Sequence, residues 1–201
     1  MNSTLLIYAL IGGYILGSIP FGLLIAKLSG QGDIRDIGSG NIGATNVLRT
    51  GRKDLAALTL LLDAGKAGLA ALIANHFMGL PYGLIAGAAA LIGHCFPVWL
   101  KFKGGKGVAT FFGALFATCW PVGLTAGAMW LFTAFISRIS SLGALAAAGT
   151  APIIALMFER LDIALMAAVM ALIIYIRHKD NIVRIVKGQE SKIGQKTNTS
   201  Q

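Results

Sequence analysis

The stretch 101–107 carries the residue types that bind phosphate. It reads Lys-Phe-Lys-Gly-Gly-Lys-Gly, with three lysines and three glycines in seven residues. Lysine supplies positive charge, and glycine lets backbone N–H groups approach an anion closely. It is not the P-loop of an NTPase, because Leu100 stands where that motif needs glycine and Gly107 where it needs serine or threonine. A loop made basic only to orient the chain in a membrane would explain the lysines but not the glycines, so an anion site is the favoured interpretation.

A second polar stretch, 30–49, combines glycines with hydrogen-bonding side chains. Residues 38–43 have the spacing G-x-G-x-x-G, but no strand precedes them and an apolar segment follows, so a dinucleotide-binding fold is excluded. We predict a glycine turn, followed by a short helix over 44–48 that brings Arg49 back towards the start of the loop. The planar guanidinium of Arg49 can make two charge-assisted bonds to one phosphate. The hydrogen-bonding side chains of the turn are Ser39, Asn41, Thr45 and Asn46.

The third polar stretch, 177–190, contains side chains suited to orienting or moving a proton. His178 and Asn181 are three residues apart and share a helix face, and histidine is the usual proton carrier near neutral pH. Glu190 is predicted to pair with the surrounding cations and to order the tail. An amphipathic helix on the inner leaflet is the alternative. Another histidine, His94, lies near the end of an apolar segment, where we expect a backbone hydrogen-bond partner and no role as a base.

The composition is that of a polytopic membrane protein. Of the 201 residues, 56% are hydrophobic and 12% are charged, whereas soluble domains have about 25% charged residues. The net charge of +9 is concentrated in the few polar segments, so we expect anionic lipid headgroups or anionic substrates as partners. Nucleic acid is disfavoured, because the basic residues are scattered over short loops. Cys95 and Cys119 lack metal-ligand spacing and are predicted to be packing residues; no metal and no cofactor are expected.

Six apolar segments predict an all-α membrane helix bundle. The fourth, 108–136, is too long for one helix and contains Trp120 and Pro121, so we predict a hairpin that turns there and has a short first arm. About seven transmembrane helices result, with the N-terminus outside and the C-terminus in the cytoplasm. Fifteen of the 17 lysines and arginines then lie inside, with Lys66 and Arg160 as the exceptions, in line with the positive-inside rule. The other segments are 4–26, 55–77, 82–100, 141–158 and 163–176.

The chain is predicted to be one integral-membrane domain, 1–201, with cytoplasmic loops at about 29–53 and 101–107 and a tail at 177–201. Asp63 and Lys66 lie on one helix face and are predicted to pair at membrane depth as a structural anchor beneath the polar site. Glycine pairs four residues apart predict close helix contacts. These pairs are Gly13/Gly17, Gly83/Gly87 and Gly123/Gly127.

The predicted topology places all three polar stretches on the same side of the membrane. A surface that only binds lipid headgroups would need the cations alone, whereas glycine turns with histidine and asparagine side chains indicate a shaped site for a phosphorylated molecule. Composition and spacing predict this site at the cytoplasmic face, but they predict no particular reaction.

Three motifs resemble those of the bacterial acyl-phosphate-dependent glycerol-3-phosphate acyltransferases. They are residues 38–49, residues 93–110, and residues 177–181 together with Glu190. The resemblance covers nearly the whole chain and implies a seven-helix inner-membrane enzyme. Such an enzyme acylates glycerol 3-phosphate with acyl phosphate, giving 1-acyl-glycerol 3-phosphate and inorganic phosphate. In soluble acyltransferases a histidine is followed four residues later by an aspartate. That pattern is absent here, because the residue four positions after His94 is Val98 and the residue four positions after His178 is Ile182.

The resemblance also implies roles for individual residues. The glycerol hydroxyl is expected to attack acyl phosphate directly, so Ser39 is expected to bind phosphate rather than form an acyl-enzyme. Either His178 or a substrate phosphate is expected to take the proton. The expected catalytic residues are Ser39, Arg49, His178 and Asn181. The expected substrate-binding residues are Ser39, Asn41, Asn46, Arg49, Lys103, Gly104, Gly105, Lys106, Gly107, His178 and Asn181, and the structural ones are Asp63, Lys66 and Glu190.

Two of these expectations concern the stretch 101–107. Lys103, Lys106 and the backbone of Gly104, Gly105 and Gly107 are expected to hold acyl phosphate and the departing charge, although Lys106 could instead hold the acceptor phosphate. A helix starting after Gly107 would point its positive end at the phosphate. A transporter for a phosphorylated solute is the alternative function, because Pro20 and Pro121 could break helices within the membrane. The clustering of polar residues at one face argues against it. A non-catalytic lipid-binding scaffold is a third possibility.

Overall fold

The computed structural model describes residues 1–194, which form ten α-helices and no β-strand. The helices are α1 (Ser3–Gly17), α2 (Phe21–Leu28), α3 (Ala44–Val47), α4 (Lys53–Met78), α5 (Leu80–Cys95), α6 (Val108–Thr118), α7 (Trp120–Ser137), α8 (Ser140–Met157), α9 (Leu161–Arg177) and α10 (Lys179–Val186). The predicted all-α class is confirmed.

The long apolar helices make this a multi-pass membrane protein. Five segments within residues 1–194 are long and apolar enough to span a membrane, and α9 with α10 adds a sixth that is bent by 65°. Helix α6 has 11 residues, about 16 Å at 1.5 Å per residue, against an apolar bilayer thickness of about 30 Å. The predicted short arm is confirmed, and the predicted turn lies at Cys119, directly before Trp120. The number of crossings and the orientation of the termini stay predictions.

The first apolar segment is broken at Ser18–Pro20, between α1 and α2. Backbone groups at such a break need partners, because apolar surroundings offer none. The Trp99 indole Nε1 donates to the Ser18 carbonyl at 2.8 Å, and the Lys66 ammonium donates to the Ile19 carbonyl at 2.7 Å. Side chains from elsewhere in the bundle therefore stabilise the break.

Asp63 and Lys66 form the predicted pair within α4, at 2.7 Å between Oδ1 and Nζ, and both side chains are buried. His94 joins them, with its Nδ1 2.9 Å from Lys66 Nζ. The prediction of a backbone partner for the His94 ring is therefore wrong, because a buried ammonium on the facing helix takes that place.

Small residues let the helices approach closely. A Cβ atom on Gly17 would lie 2.0 Å from the Ala90 carbonyl oxygen of α5, and one on Gly13 would lie 2.4 Å from that of Ala86. The predicted close contact is thus confirmed for this pair of glycines. It is wrong for Gly127, around which an added Cβ would meet nothing within 4 Å.

These two environments predict opposite effects of one methyl group. We expect Gly17→Ala to lower the free energy of unfolding by about 1–3 kcal/mol, because α1 and α5 must separate to admit the Cβ. Gly127→Ala is the matched control and should be neutral or stabilising by up to about 1 kcal/mol, since alanine favours the helix. Thermal unfolding in detergent measures both. Equal melting temperatures for the two variants would contradict the close α1–α5 contact.

Candidate active site

The loop 101–107 rests on the carboxyl end of α5. The Gly104 N–H donates to the Cys95 carbonyl at 3.1 Å, and the Gly105 N–H donates to the His94 carbonyl at 3.0 Å. A Cβ on Gly104 would lie 2.1 Å from the His94 carbonyl oxygen, and one on Gly105 would lie 2.0 Å from His94 Nε2. These glycines therefore permit close packing. Both N–H groups already donate within the protein, so their geometry lends no support to the prediction that they bind phosphate.

Arg177 holds the loop from its other side. Its Nε donates to the Gly105 carbonyl at 3.0 Å and its Nη2 to the Gly104 carbonyl at 2.8 Å. The guanidinium also stacks 5.3 Å from the centre of the Phe96 ring. Sequence reasoning counted Arg177 as one of several tail cations and missed this role. The available signal was its position beside His178 at the end of an apolar helix.

Gly107 turns the chain from the loop into α6. Its φ of +85° is in the left-handed region, which favours glycine. The first backbone bond of the helix runs from the Phe111 N–H to the Gly107 carbonyl at 2.8 Å. The N–H groups of the first turn have no carbonyl earlier in the helix to bond to. As predicted, a helix starts after Gly107, and its partial positive charge lies next to Lys106.

Lys106 links this loop to the tail. Its Nζ donates to Asn181 Oδ1 at 2.6 Å, and Asn181 Nδ2 donates to Glu190 Oε1 at 2.5 Å. Glu190 also accepts from Ser141 Oγ at 2.8 Å and from Arg184 Nε at 2.6 Å. The predicted pairing of Glu190 with a tail cation is confirmed. Sequence reasoning missed Ser141, which lies 49 residues before Glu190 and carries no motif.

The charges around Lys106 favour an anion. Burial is the main cause that lowers the pKa of Lys106 to about 8; Glu190 opposes this shift, and the nearby guanidinium groups of Arg184, Arg177 and Arg49 contribute to it. Lys106 thus interacts with three other cations and with one carboxylate, Glu190, which is itself bonded to Arg184. A bound phosphate would relieve the repulsion among the cations.

His178 is buried beside this cluster and is uncharged at neutral pH. Its side chain is 2% exposed, and its Nδ1–H donates to the Ile174 carbonyl at 2.8 Å. Burial lowers the pKa of His178 to about 4, and the cations Lys106 and Arg177 act in the same direction. Because Nδ1 carries the proton, Nε2 has a free lone pair that can accept a hydrogen bond from a hydroxyl group.

Asn46 holds the first loop together. It is 1% exposed, and its Nδ2 donates to the carbonyls of Ile34 and Ile37 at 2.8 and 2.9 Å. Its Oδ1 accepts from the Ser39 N–H at 3.2 Å. Asn41 acts similarly, since its Oδ1 accepts from the Gly43 N–H at 3.1 Å. These asparagines fix the loop, and the predicted substrate contacts of Asn41 and Asn46 stay predictions.

Arg49 connects the first loop to the tail. The predicted short helix α3 returns the chain, so that the Arg49 guanidinium packs against Gly38, where an added Cβ would lie 2.3 Å from Nη1. Its Nη2 also contacts Ser191 Oγ at 3.3 Å. The structure thus brings the three polar stretches together, as predicted. Lys103 lies apart: it is exposed, and its side chain makes no hydrogen bond or ion pair within residues 1–194, although its N–H donates to the Leu100 carbonyl at 3.0 Å. Lys196 lies outside the described residues.

Comparison with known proteins identifies the family of this chain. A sequence model of the family "Glycerol-3-phosphate acyltransferase" matches residues 7–188. The chain belongs to this family. A glycerol-3-phosphate acyltransferase of Maricaulis maris is 63% identical over 185 residues, which cover 92% of this chain and 86% of the relative. A glycerol-3-phosphate acyltransferase of Caulobacter vibrioides is 59% identical over 191 residues, which cover 94% of this chain and 88% of the relative.

Two crystal structures of the glycerol 3-phosphate acyltransferase PlsY (YgiH), an integral membrane protein, have the same fold. The glycerol 3-phosphate form has a TM-score of 0.89 at 38% identity, covering 94% of this chain and 96% of that one. The lysophosphatidic acid form has a TM-score of 0.87 at 38% identity, and the match covers 94% of this chain and 95% of that one. The resemblance identified from the three motifs is therefore confirmed at the level of the family.

In this acyltransferase, the described residues offer no activated nucleophile. Ser39 Oγ lies 3.4 Å from Asn46 Oδ1, which is an amide oxygen and not a base. Cys95 is buried and Cys119 lies at the α6–α7 turn, and neither forms a disulfide within residues 1–194. The helix break at Pro20 was a reason to consider a transporter. The carbonyls of Ser18 and Ile19 at this break accept hydrogen bonds from Trp99 and Lys66.

Proposed function

We propose that this chain transfers an acyl group from acyl phosphate to glycerol 3-phosphate, at the cytoplasmic face of the bacterial inner membrane. The products are 1-acyl-glycerol 3-phosphate and inorganic phosphate. Family membership supports the acceptor, since PlsY structures are described with glycerol 3-phosphate and with lysophosphatidic acid. The observation that carries the proposal is the meeting of Lys106, Arg49 and a neutral His178 around the tail.

Electrostatics supports a reaction between two phosphorylated substrates. Acyl phosphate and glycerol 3-phosphate repel each other, so cations that hold both in place contribute much of the rate. Lys106 and the amino-terminal end of α6 are suited to the acyl phosphate and to the phosphate that leaves. Arg49 and Ser39 are suited to the acceptor phosphate, since the guanidinium lies at the glycine turn that carries Ser39.

Arg177 contributes a charge whose position is fixed by the loop. Its Nε and Nη2 donors are bonded to the loop carbonyls, so it supplies a fixed positive field next to Lys106. Asn181 likewise orients Lys106 through the 2.6 Å bond between Oδ1 and Nζ.

The pKa values favour a substrate phosphate as the proton acceptor. His178 has a pKa of about 4, whereas the second ionisation of a phosphate monoester lies at about 6. A substrate phosphate is therefore the proposed base, and His178 Nε2 orients the acceptor by accepting a hydrogen bond from the hydroxyl that is not acylated. The oxygen of the attacking hydroxyl forms a bond to the acyl carbon, the bond from that carbon to the phosphate oxygen breaks, and the proton of the attacking hydroxyl passes to phosphate.

The proposed orientation follows from the distribution of charge. The site groups and most of the other basic residues lie in the loops and the tail, which the positive-inside rule assigns to the cytoplasm. Membrane lipids surround the apolar helices in this arrangement, and the acyl donor reaches the site from the same leaflet.

Phosphate release by the purified protein tests the proposed reaction. In detergent, acyl phosphate with glycerol 3-phosphate should give phosphate and 1-acyl-glycerol 3-phosphate in equal amounts, and acyl-CoA or acyl-carrier protein should give no product. Lys106→Ala and Arg49→Ala should each lower turnover by about 100-fold or more. Lys101→Asn is the control, because Lys101 is an exposed lysine with left-handed φ, which asparagine tolerates. Turnover with acyl-CoA alone would contradict the proposed donor.

The lowered pKa of Lys106 predicts the pH dependence of the reaction. Lys106 binds phosphate only when protonated, so kcat/KM should be highest below its pKa of about 8 and fall as the pH rises through that value. Lys106→Arg should shift this fall upward by more than about two pH units, since guanidinium has a pKa above about 12. The pH profile of kcat/KM with saturating co-substrate measures both. A fall at the same pH in both proteins would show that Lys106 is not the titrating group.

A further inference from the structure

A buried group of three polar side chains lies beneath the site and takes no part in the chemistry described above. We propose that Asp63 and Lys66 position the loop that carries Lys106, by fixing the ring of His94 against Gly105. The kinetic part of this proposal rests on the proposed function, and its structural part does not.

Lys66 is the centre of the group. A lysine ammonium has three N–H donors, and here three acceptors surround it: Asp63 Oδ1 at 2.7 Å, the Ile19 carbonyl at 2.7 Å and His94 Nδ1 at 2.9 Å. These acceptors come from α4, from the α1–α2 break and from α5. The ammonium, which is buried with its side chain 1% exposed, therefore ties three segments together in one fixed geometry.

The bond from Lys66 also fixes the state of the His94 ring. Lysine has no acceptor, so Nδ1 of His94 must accept, and the ring is then neutral with its proton on Nε2. Asp63 Oδ1 lies 3.6 Å from the same Nδ1 and keeps the Lys66 ammonium in place. The ring cannot rotate without breaking a buried charge-assisted bond.

The far edge of this ring touches the loop. All three of the atoms closest to a Cβ added at Gly105 belong to it: Nε2 at 2.0 Å, Cε1 at 2.7 Å and Cδ2 at 2.9 Å. The main chain of His94 also accepts the Gly105 N–H at 3.0 Å. His94 thus supports Gly105 twice, by its carbonyl and by its ring, and the residue after Gly105 is Lys106.

A displacement at Gly105 would be passed on to Lys106. The Lys106 ammonium reaches Asn181 through a single bond of 2.6 Å, and misplacement of a substrate-positioning group by about 1 Å can lower a rate by about 100-fold. The buried group therefore positions Lys106 without contacting the substrate itself.

Paired glycine and histidine variants test the contact between ring and loop. Gly105→Ala should lower kcat/KM by about 100-fold, and His94→Ala by a smaller factor. The double variant His94→Ala/Gly105→Ala should have a kcat/KM about tenfold higher than that of Gly105→Ala alone, because removing the ring makes room for the methyl group. Gly104→Ala is the matched control: its Cβ would lie 2.1 Å from the His94 carbonyl oxygen and 2.8 Å from that of Cys95, so removal of the ring should not rescue it.

The kinetic outcomes separate positioning from general damage to the fold. A double variant no better than Gly105→Ala would overturn the proposal, as would equal rescue of Gly104→Ala. Wild-type activity in His94→Ala would also overturn it, because the ring would then be dispensable. A wild-type protein that releases no phosphate would instead contradict the proposed function, and the next measurement would still test the positioning.

Hydrogen–deuterium exchange of the loop amides provides that second measurement. His94→Ala should accelerate exchange of the Gly104 and Gly105 N–H groups. Asp63→Asn combined with Lys66→Met should do the same, and this pair removes both charges together so that neither is left buried alone. Protection equal to that of the wild type in the combined variant, with an unchanged melting temperature, would show that the buried pair does not reach the loop and would overturn its role.

Discussion

The site depends on how the exposed carbonyls at the end of α5 are satisfied. The last carbonyls of a helix lack hydrogen-bond donors within the helix. In this chain the Gly104 N–H donates to the Cys95 carbonyl and the Gly105 N–H donates to the His94 carbonyl. The loop therefore acts as the cap of a membrane helix, and Arg177 holds the same two glycines through their carbonyls. Lys106 follows directly, so main-chain hydrogen bonding sets the position of the charge that is proposed to bind phosphate.

Charge is arranged differently at two depths. Within the helices, Asp63 and Lys66 neutralise each other and are fully enclosed, as buried charges must be. At the loops, Lys106 and the arginines around it exceed the single carboxylate of Glu190, so this region favours an anion. His94 joins the two levels, because its ring contacts Lys66 and its main chain holds Gly105.

Much of the fold could be predicted from the sequence, because membrane helices are recognised by length and polarity alone. The short α6, the return of Arg49 and the pairing of Glu190 followed from local patterns. The roles of Gly104, Gly105 and Asn46 did not, since residue type shows what a group can bind but not which partner has already taken it. Arg177 and Ser141 were missed for a related reason: their partners lie about 72 and 49 residues away in the chain, and no local pattern records such contacts.

The central claim is direct transfer from acyl phosphate to the acceptor without an acyl-enzyme, and isotope exchange tests it most directly. The protein is incubated with acyl phosphate and radiolabelled inorganic phosphate in the absence of glycerol 3-phosphate, and addition of the acceptor afterwards confirms that the enzyme is active. Direct transfer predicts that no label enters acyl phosphate, because its bond to phosphate breaks only when the glycerol hydroxyl attacks. Entry of label at a rate comparable with turnover would require an acyl-enzyme and would contradict the account.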